Sequence, residues 1–291
     1  MRPLARASSA LAVAALLLAA CKEKVQVVTP AAPPKPAATQ GFTFTIRDLA
    51  LATAVDASAA RLTLAGSEIE AALLARDPAE RAKAAGHVPT LDADRAEVEQ
   101  AVARVTNGLD QPGAARVQAA AKEYAARLAA AAQAPSAPLT PELAAARASF
   151  GEALAGYRES RAAWRFSGSP PLGPEREFVE ARREMERAET GFMSRTRVAP
   201  REEGHEFDAA SARMAGQMAV QKARAAAALL TPALQPHALR YTAAQEKVLE
   251  AVNAIQTARE NEKPALARAY HAAKAEALAA LADYFAVVSA R

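Results

Sequence analysis

One short segment of the chain combines side chains that bind divalent metals. Glu202 and His205 have the i, i+3 spacing used by carboxylate-bridged metal sites inside helical bundles, and Asp208 follows His205. A ferritin-like dimetal centre needs a second pair of this kind, and the other three histidines have no glutamate three residues before them. We therefore expect Glu202, His205 and Asp208 to form a solvated helix start after Pro200, with no metal and no cofactor.

A basic and aromatic stretch is the second candidate for chemistry. Three arginines stand at positions i, i+3 and i+7 of a predicted helix: Arg158, Arg161 and Arg165. Trp164, the only tryptophan of the chain, lies among them. Guanidinium groups beside an aromatic ring can bind an anionic glycan, a lipid phosphate or a partner protein. Alternatively, Tyr157 and Trp164 pack into the fold while the arginines face solvent or pair with acids. The candidate partner-binding residues are Arg158, Arg161, Trp164 and Arg165.

Groupings that support catalysis are missing from the sequence. No serine lies in a Gly-x-Ser-x-Gly elbow, and no glycine-rich phosphate-binding loop is visible. The chain has a single cysteine, Cys21, which directly follows an N-terminal apolar region and is not part of a catalytic grouping. We therefore predict that the protein is not an enzyme.

The first 21 residues have the order of parts found in an export signal. Arg2 and Arg6 precede an apolar run over residues 11–18, which is too short to span a bilayer. The residues from Leu18 to Cys21 read Leu-Ala-Ala-Cys, which resembles the lipobox of bacterial lipoproteins. The resemblance implies cleavage before Cys21 and attachment of acyl chains such as palmitate to that cysteine. Two or more chains give stable membrane anchoring where one gives only marginal binding.

Two alternatives concern the processing and the cellular location of the mature chain. An ordinary secretory leader would be cut after the small residues and would leave Cys21 as a free thiol. If Cys21 is lipidated, the following residue is Lys22 and not the aspartate that retains such lipoproteins in the inner membrane of enteric bacteria. We expect a cell-envelope protein that faces the periplasm and is anchored in the outer membrane in preference to the inner membrane.

The charge balance argues against nucleic acid as a partner. The chain has 36 basic and 32 acidic residues, and removal of the leader takes away Arg2 and Arg6, which leaves 34 against 32. A nearly neutral exported chain has little of the positive charge that binding to phosphate backbones requires. The expected partners are the membrane, through the lipid on Cys21, and envelope proteins or anionic glycans.

Composition predicts an all-α body behind a linker. Residues 22–40 combine prolines with small and polar residues and show no helical apolar stripe, so we predict a disordered, semi-extended tether of at most about 60 Å at about 3.1 Å per residue. The rest is rich in alanine, the strongest helix former, with 83 alanines and only 5% aromatic residues in the chain. The predicted organisation is a signal peptide over 1–20, lipidated Cys21 and linker over 21–40, and a helical domain over 41–291.

Periodicity supports this fold independently of composition. Proline and glycine clusters divide the domain into about eight helical segments: 47–75, 91–108, 113–133, 141–166, 174–196, 206–230, 237–261 and 264–289. Large residues alternate with alanine at spacings of three and four along several segments, as in Phe178, Ala181 and Met185. This coiled-coil-like rhythm predicts an elongated antiparallel helical bundle, and it leaves open whether there is one bundle or two stacked ones.

Two further expectations concern the edges of this bundle. Phe42, Phe44 and Ile46 alternate with threonine, which predicts an extended lead-in whose apolar side docks on the body. The pairs Arg176–Glu180 and Arg182–Glu186 are spaced four apart, which predicts ion pairs on the exposed side of their helix.

The predicted role is a noncatalytic scaffold or adaptor that binds other envelope components. Long amphipathic faces and the lack of catalytic groupings favour this role over an enzyme. The alternative is a periplasmic module that binds a ligand or a metal, through the bundle interior or the segment from Glu202 to Asp208.

Overall fold

The computed structural model describes residues 44–136, 139–162, 173–196, 209–259 and 262–291. The described residues all belong to one compact unit, which spans Thr43–Arg291. The described part is an all-α helical bundle, which confirms the predicted fold class. Its helices are α1 (Ile46–Leu73), α2 (Pro78–Ala82), α3 (Val88–Ala103), α4 (Gln111–Gln133), α5 (Pro141–Ala162), α6 (Pro174–Thr196), α7 (Ala209–Ala228), α8 (Gln235–Thr257) and α9 (Lys263–Ser289).

The start of the body combines a docked aromatic residue with a capped helix. Phe44 is buried, as the predicted lead-in requires. Thr45 is the N-cap of α1, where its hydroxyl accepts from the backbone N–H of Asp48 and its own N–H donates to the Asp48 carboxylate. Ile46 is therefore the first residue of α1 and not the end of an extended segment.

The segment between α1 and α3 is more helical than predicted. Asp77 accepts from the N–H of Ala79 and caps α2, whose first residue is Pro78. A 3₁₀ turn over Lys83–His87 then leads directly into α3, which begins at Val88 instead of residue 91. The acid–proline pair at 77 and 78 was a usable helix-start signal, because aspartate caps a helix and proline is tolerated in its first turn.

Two large groups of buried residues, and a small third one around Val248, Val252 and Ala273, form the hydrophobic core of the described residues. The first lies among α1, α3, α4 and α5 and includes Leu62, Ile69 and Leu128. The second lies among α6 to α9, with the beginning of α1, and includes Phe178, Met185 and Tyr241. Helix α9 packs along α1, so these two helices join the halves of the bundle.

Cross-helix contacts show that neighbouring helices run antiparallel. Arg213 near the start of α7 reaches Asn253 near the end of α8, and Arg224 near the end of α7 pairs with Glu246 earlier in α8. Helices α5 and α1 show the same opposed register, because Arg147 binds Glu70 and Arg158 binds Asp56. No helix within the described ranges has the length and apolarity needed to cross a bilayer.

Candidate functional site

Two arginines of the predicted partner-binding stripe are bound within the fold. Arg158 Nε lies 2.9 Å from Asp56 Oδ1 and Arg161 Nη2 lies 2.6 Å from Asp56 Oδ2. The Arg161 side chain is only 10% exposed, whereas that of Arg158 is 45% exposed. Asp56 itself is buried in α1, so these charge-assisted bonds hold α5 against α1. Trp164 and Arg165 lie outside the described residues.

A buried tyrosine and acid stand next to this pair of arginines. Tyr157 packs its ring under the Arg161 guanidinium, 4.2 Å from the ring centroid, and its hydroxyl donates to Asp110 Oδ2 at 2.8 Å. Asp110 is 3% exposed, and its Oδ1 has no hydrogen-bond partner within the described ranges. Burial raises the pKa of Asp110, while the bond from Tyr157 works in the opposite direction. The Tyr157 hydroxyl therefore stabilises the buried carboxylate.

Removal of this hydroxyl should be destabilising in a pH-dependent manner. We expect Tyr157→Phe to lower the free energy of unfolding by about 1–2 kcal/mol at pH 7, because the buried Asp110 carboxylate then has no side-chain donor among the described residues. The loss should shrink toward pH 4, because an acid with a raised pKa accepts its proton early as the pH falls. Urea unfolding of the variant and the unmodified protein at pH 7 and at pH 4 measures this difference in the free energy of unfolding.

Tyr284→Phe is the matched control for this prediction. Tyr284 is equally buried, and its hydroxyl makes no hydrogen bond with the described residues. Its replacement should change the free energy of unfolding by less than about 0.5 kcal/mol. Equal losses in the two variants would contradict the role assigned to Tyr157.

A second buried acid joins three helices of the other half. Glu189 of α6 is 6% exposed and accepts from Gln245 Nε2 at 2.7 Å, Lys274 Nζ at 2.6 Å and Tyr270 Oη at 3.0 Å. Burial by itself would raise the pKa of Glu189, but the Lys274 charge and these three bonds outweigh it and hold that pKa below its ordinary value. The carboxylate is thus fixed in its charged form between α6, α8 and α9.

The prediction of two exposed ion pairs on α6 is correct for only one pair. Arg176 and Glu180 are both exposed. The side chain of Arg182 is instead only 16% exposed, bonds to Glu186 at 2.6 Å and lies 5.9 Å from the centre of the Phe285 ring. Phe285 of α9 lies beside this part of α6. The spacing of residues within α6 cannot show which other helix packs against it.

The described residues contain no group of three side chains suited to hold a metal ion. The weak metal candidates Glu202, His205 and Asp208 lie outside the described residues, and so does Cys21. The acids Asp56, Asp110 and Glu189 are engaged by arginine, tyrosine and lysine side chains. Their geometry serves to hold helices together.

An open groove between α7 and α8 is the candidate functional site. It has a volume of about 740 Å³, and Val220 and Leu249 are buried beneath it. Met214 and Met218 stand one helical turn apart at its edge, and each is 57% exposed. Two long apolar side chains at this exposure beside a groove mark a surface that can receive an apolar partner.

The two sides of the groove carry opposite charges. Arg213 and Lys222 lie on the α7 side, and Glu246 and Glu250 lie on the α8 side. Lys222 pairs with Glu184 of α6, and Glu246 pairs with Arg224. Among the described residues, Arg213 bonds to the neutral Asn253 and to no acid, and Glu250 makes no ion pair. One cation and one anion of the groove therefore lack an opposite charge within the described structure.

The sequence reasoning did not identify this groove. The signal was the i, i+4 pair Met214 and Met218, which account for two of the five methionines of the chain. An amphipathic stripe does not by itself show which helix covers it, so the exposure of these methionines needed the positions of α6 and α8.

Helix α7, with its exposed methionines, and helix α8, with its acidic side, together form the groove. No protein-family model, curated protein or solved structure matches the chain.

Proposed function

We propose that this protein is a lipid-anchored, noncatalytic adaptor of the bacterial cell envelope, which docks an amphipathic helix of a neighbouring envelope protein in the α7–α8 groove. The observation that carries the proposal is the groove itself, with Met214 and Met218 exposed above buried Val220 and Leu249. Methionine is flexible and polarisable, so it adapts to the side chains of a bound helix.

The charges of the groove support a helix as its occupant. An amphipathic helix that places apolar residues on the methionines can present acids toward Arg213 and bases toward Glu250. Such charges contribute more to orientation and to selection of the partner than to affinity.

The N-terminal region supports the location. The lipobox-like residues from Leu18 to Cys21 predict a lipid anchor, and the linker predicted over residues 22–40 has a maximum length of about 60 Å at about 3.1 Å per residue. The proposed site of action is the periplasmic face of the envelope, with the outer membrane favoured by Lys22.

Site-specific photo-cross-linking in intact cells tests the docking proposal. A photo-reactive amino acid replaces Gln217, an exposed residue of the groove, and in a matched control it replaces Gln133, an exposed residue at the end of α4. We expect a discrete protein adduct from position 217 and none from position 133. Equal labelling at the two positions, or none at either, would remove the groove as the docking surface.

The anchor is tested separately through Cys21. Radiolabelled palmitate should be incorporated into the full chain and should be lost in the Cys21→Ser variant, because the thiol is the proposed attachment point. Undiminished labelling of that variant would contradict the lipoprotein assignment.

A further inference from the structure

The charge pattern of the α7–α8 groove makes it complementary to itself. Helices α7 and α8 run antiparallel, and Arg213 lies at the same end of the groove as Asn253 and Glu250. The α7 side is basic and the α8 side is acidic. A surface of this kind can pair with its own copy when a two-fold axis places opposite sides in contact.

The direction of the axis decides which charges meet. An axis parallel to the groove places α7 of one copy over α8 of the other and keeps the ends aligned, so Arg213 of each copy faces Glu250 of the other. An axis across the groove would place α7 on α7 and bring Arg213 of one copy toward Lys222 of the other, whose charge Glu184 already balances, so Arg213 would gain no opposite charge. The charges therefore select the axis that runs along the groove.

We infer that the occupant of the groove is a second copy of this chain, whose α7 lies along α8 and directs its methionines into the groove. The inference rests on the proposed use of the groove as a docking surface and names its partner. Met214 and Met218 project from α7, each 57% exposed, and fill the groove of the other copy. The uncompensated Arg213 and Glu250 then each gain an opposite charge, twice per dimer because the interface is isologous.

The proposed membrane anchor favours such pairing. Copies held in one membrane surface meet at a higher effective concentration than free copies in the periplasm. A modest interface can then be occupied without a large buried area.

Reciprocal charge reversal tests the inference in intact cells. Two full-length copies with different epitope tags are co-expressed, both with the photo-reactive residue at position 217, and the fraction of the chain recovered as an adduct that carries both tags is measured. Arg213→Glu or Glu250→Arg in both copies should lower this fraction about fivefold, because each creates two like-charge contacts. The double variant should return to within about twofold of the unmodified chain, because the pairs are restored with reversed sign.

Controls separate the possible outcomes. Arg187→Glu changes an exposed arginine of α6 that does not line the groove, and it should leave the fraction unchanged. Unchanged helix content by circular dichroism shows that each variant is folded.

An adduct with a different protein would overturn self-pairing and leave the proposed docking function standing. If the double variant gives as little two-tag adduct as the single variants, the proposed direction of the two-fold axis is wrong. If no adduct is specific to the groove, both self-pairing and the proposed docking function are wrong.

Discussion

Replacement of Glu189 by glutamine is expected to lower the free energy of unfolding by about 3 kcal/mol at pH 7. The carboxylate lies between α6, α8 and α9 and accepts from Lys274, Gln245 and Tyr270. Glutamine removes the negative charge and leaves the Lys274 ammonium, 21% exposed, without its counter-charge. Loss of one partner from a buried pair costs more than the pair itself contributes, because the other charge stays desolvated.

The pH dependence of this loss has a definite sign. The pKa of Glu189 is lowered in the folded chain, so its contribution to stability is complete above the ordinary glutamate pKa of about 4.3 and is lost as the pH falls through the lowered pKa. The difference between Glu189→Gln and the unmodified protein should therefore narrow below about pH 4. Denaturant unfolding over a pH series measures both effects.

Glu180→Gln on the same helix is the matched control. Glu180 pairs with Arg176 in an exposed position, so its loss should cost less than about 0.5 kcal/mol. Comparable losses at positions 180 and 189 would show that burial of the Glu189 pair has no energetic consequence.

The second large effect is expected at a glycine inside α1. A Cβ atom at Gly66 would lie 2.5 Å from Tyr124 Oη and 3.0 Å from two ring carbons. The Tyr124 ring is 2% exposed, stacks on Phe150 and donates to Glu70, so it cannot move aside freely. We expect Gly66→Ala to be destabilising by about 1–3 kcal/mol, although alanine is the better helix former by about 1 kcal/mol.

Gly156 provides a control with the opposite sign. It lies in the middle of α5, is exposed, and a Cβ there would have no neighbour within 4 Å. Gly156→Ala should therefore raise the free energy of unfolding by about 0.5–1 kcal/mol. Thermal or urea unfolding of the two variants gives the comparison, and a gain in stability at both positions would contradict the close contact between α1 and α4.

The helical bundle could be predicted because its cause is local. The seam of α6 was identified from spacing alone, and Phe178, Ala181 and Met185 are all buried in the structure. The same rhythm in α8 places Tyr241 and Val248 in the core. Apolar residues repeated at spacings of three and four form one face of a helix, and in water this face is stabilised by burial against other helices.

The partners of the charged residues could not be predicted in the same way. Arg158 and Arg161 were identified as a stripe, but their acceptor, Asp56, is about a hundred residues earlier in the chain. The role of Glu189 could not be predicted either. A glutamate on a charged helix is usually exposed, and only the positions of α8 and α9 show that this one is buried. The exposure of Met214 and Met218 likewise depends on packing that no spacing within α7 reveals.

The central claim is that binding resides in the α7–α8 groove and is separate from the buried pairs that stabilise the fold. The measurement is the yield of the position-217 photo-adduct in cells for the double variant Met214→Gln and Met218→Gln. Glutamine keeps the length and helix propensity of methionine but is polar. We expect the adduct to fall about tenfold, with the free energy of unfolding unchanged to within about 0.5 kcal/mol. An undiminished adduct from this folded variant would contradict the account.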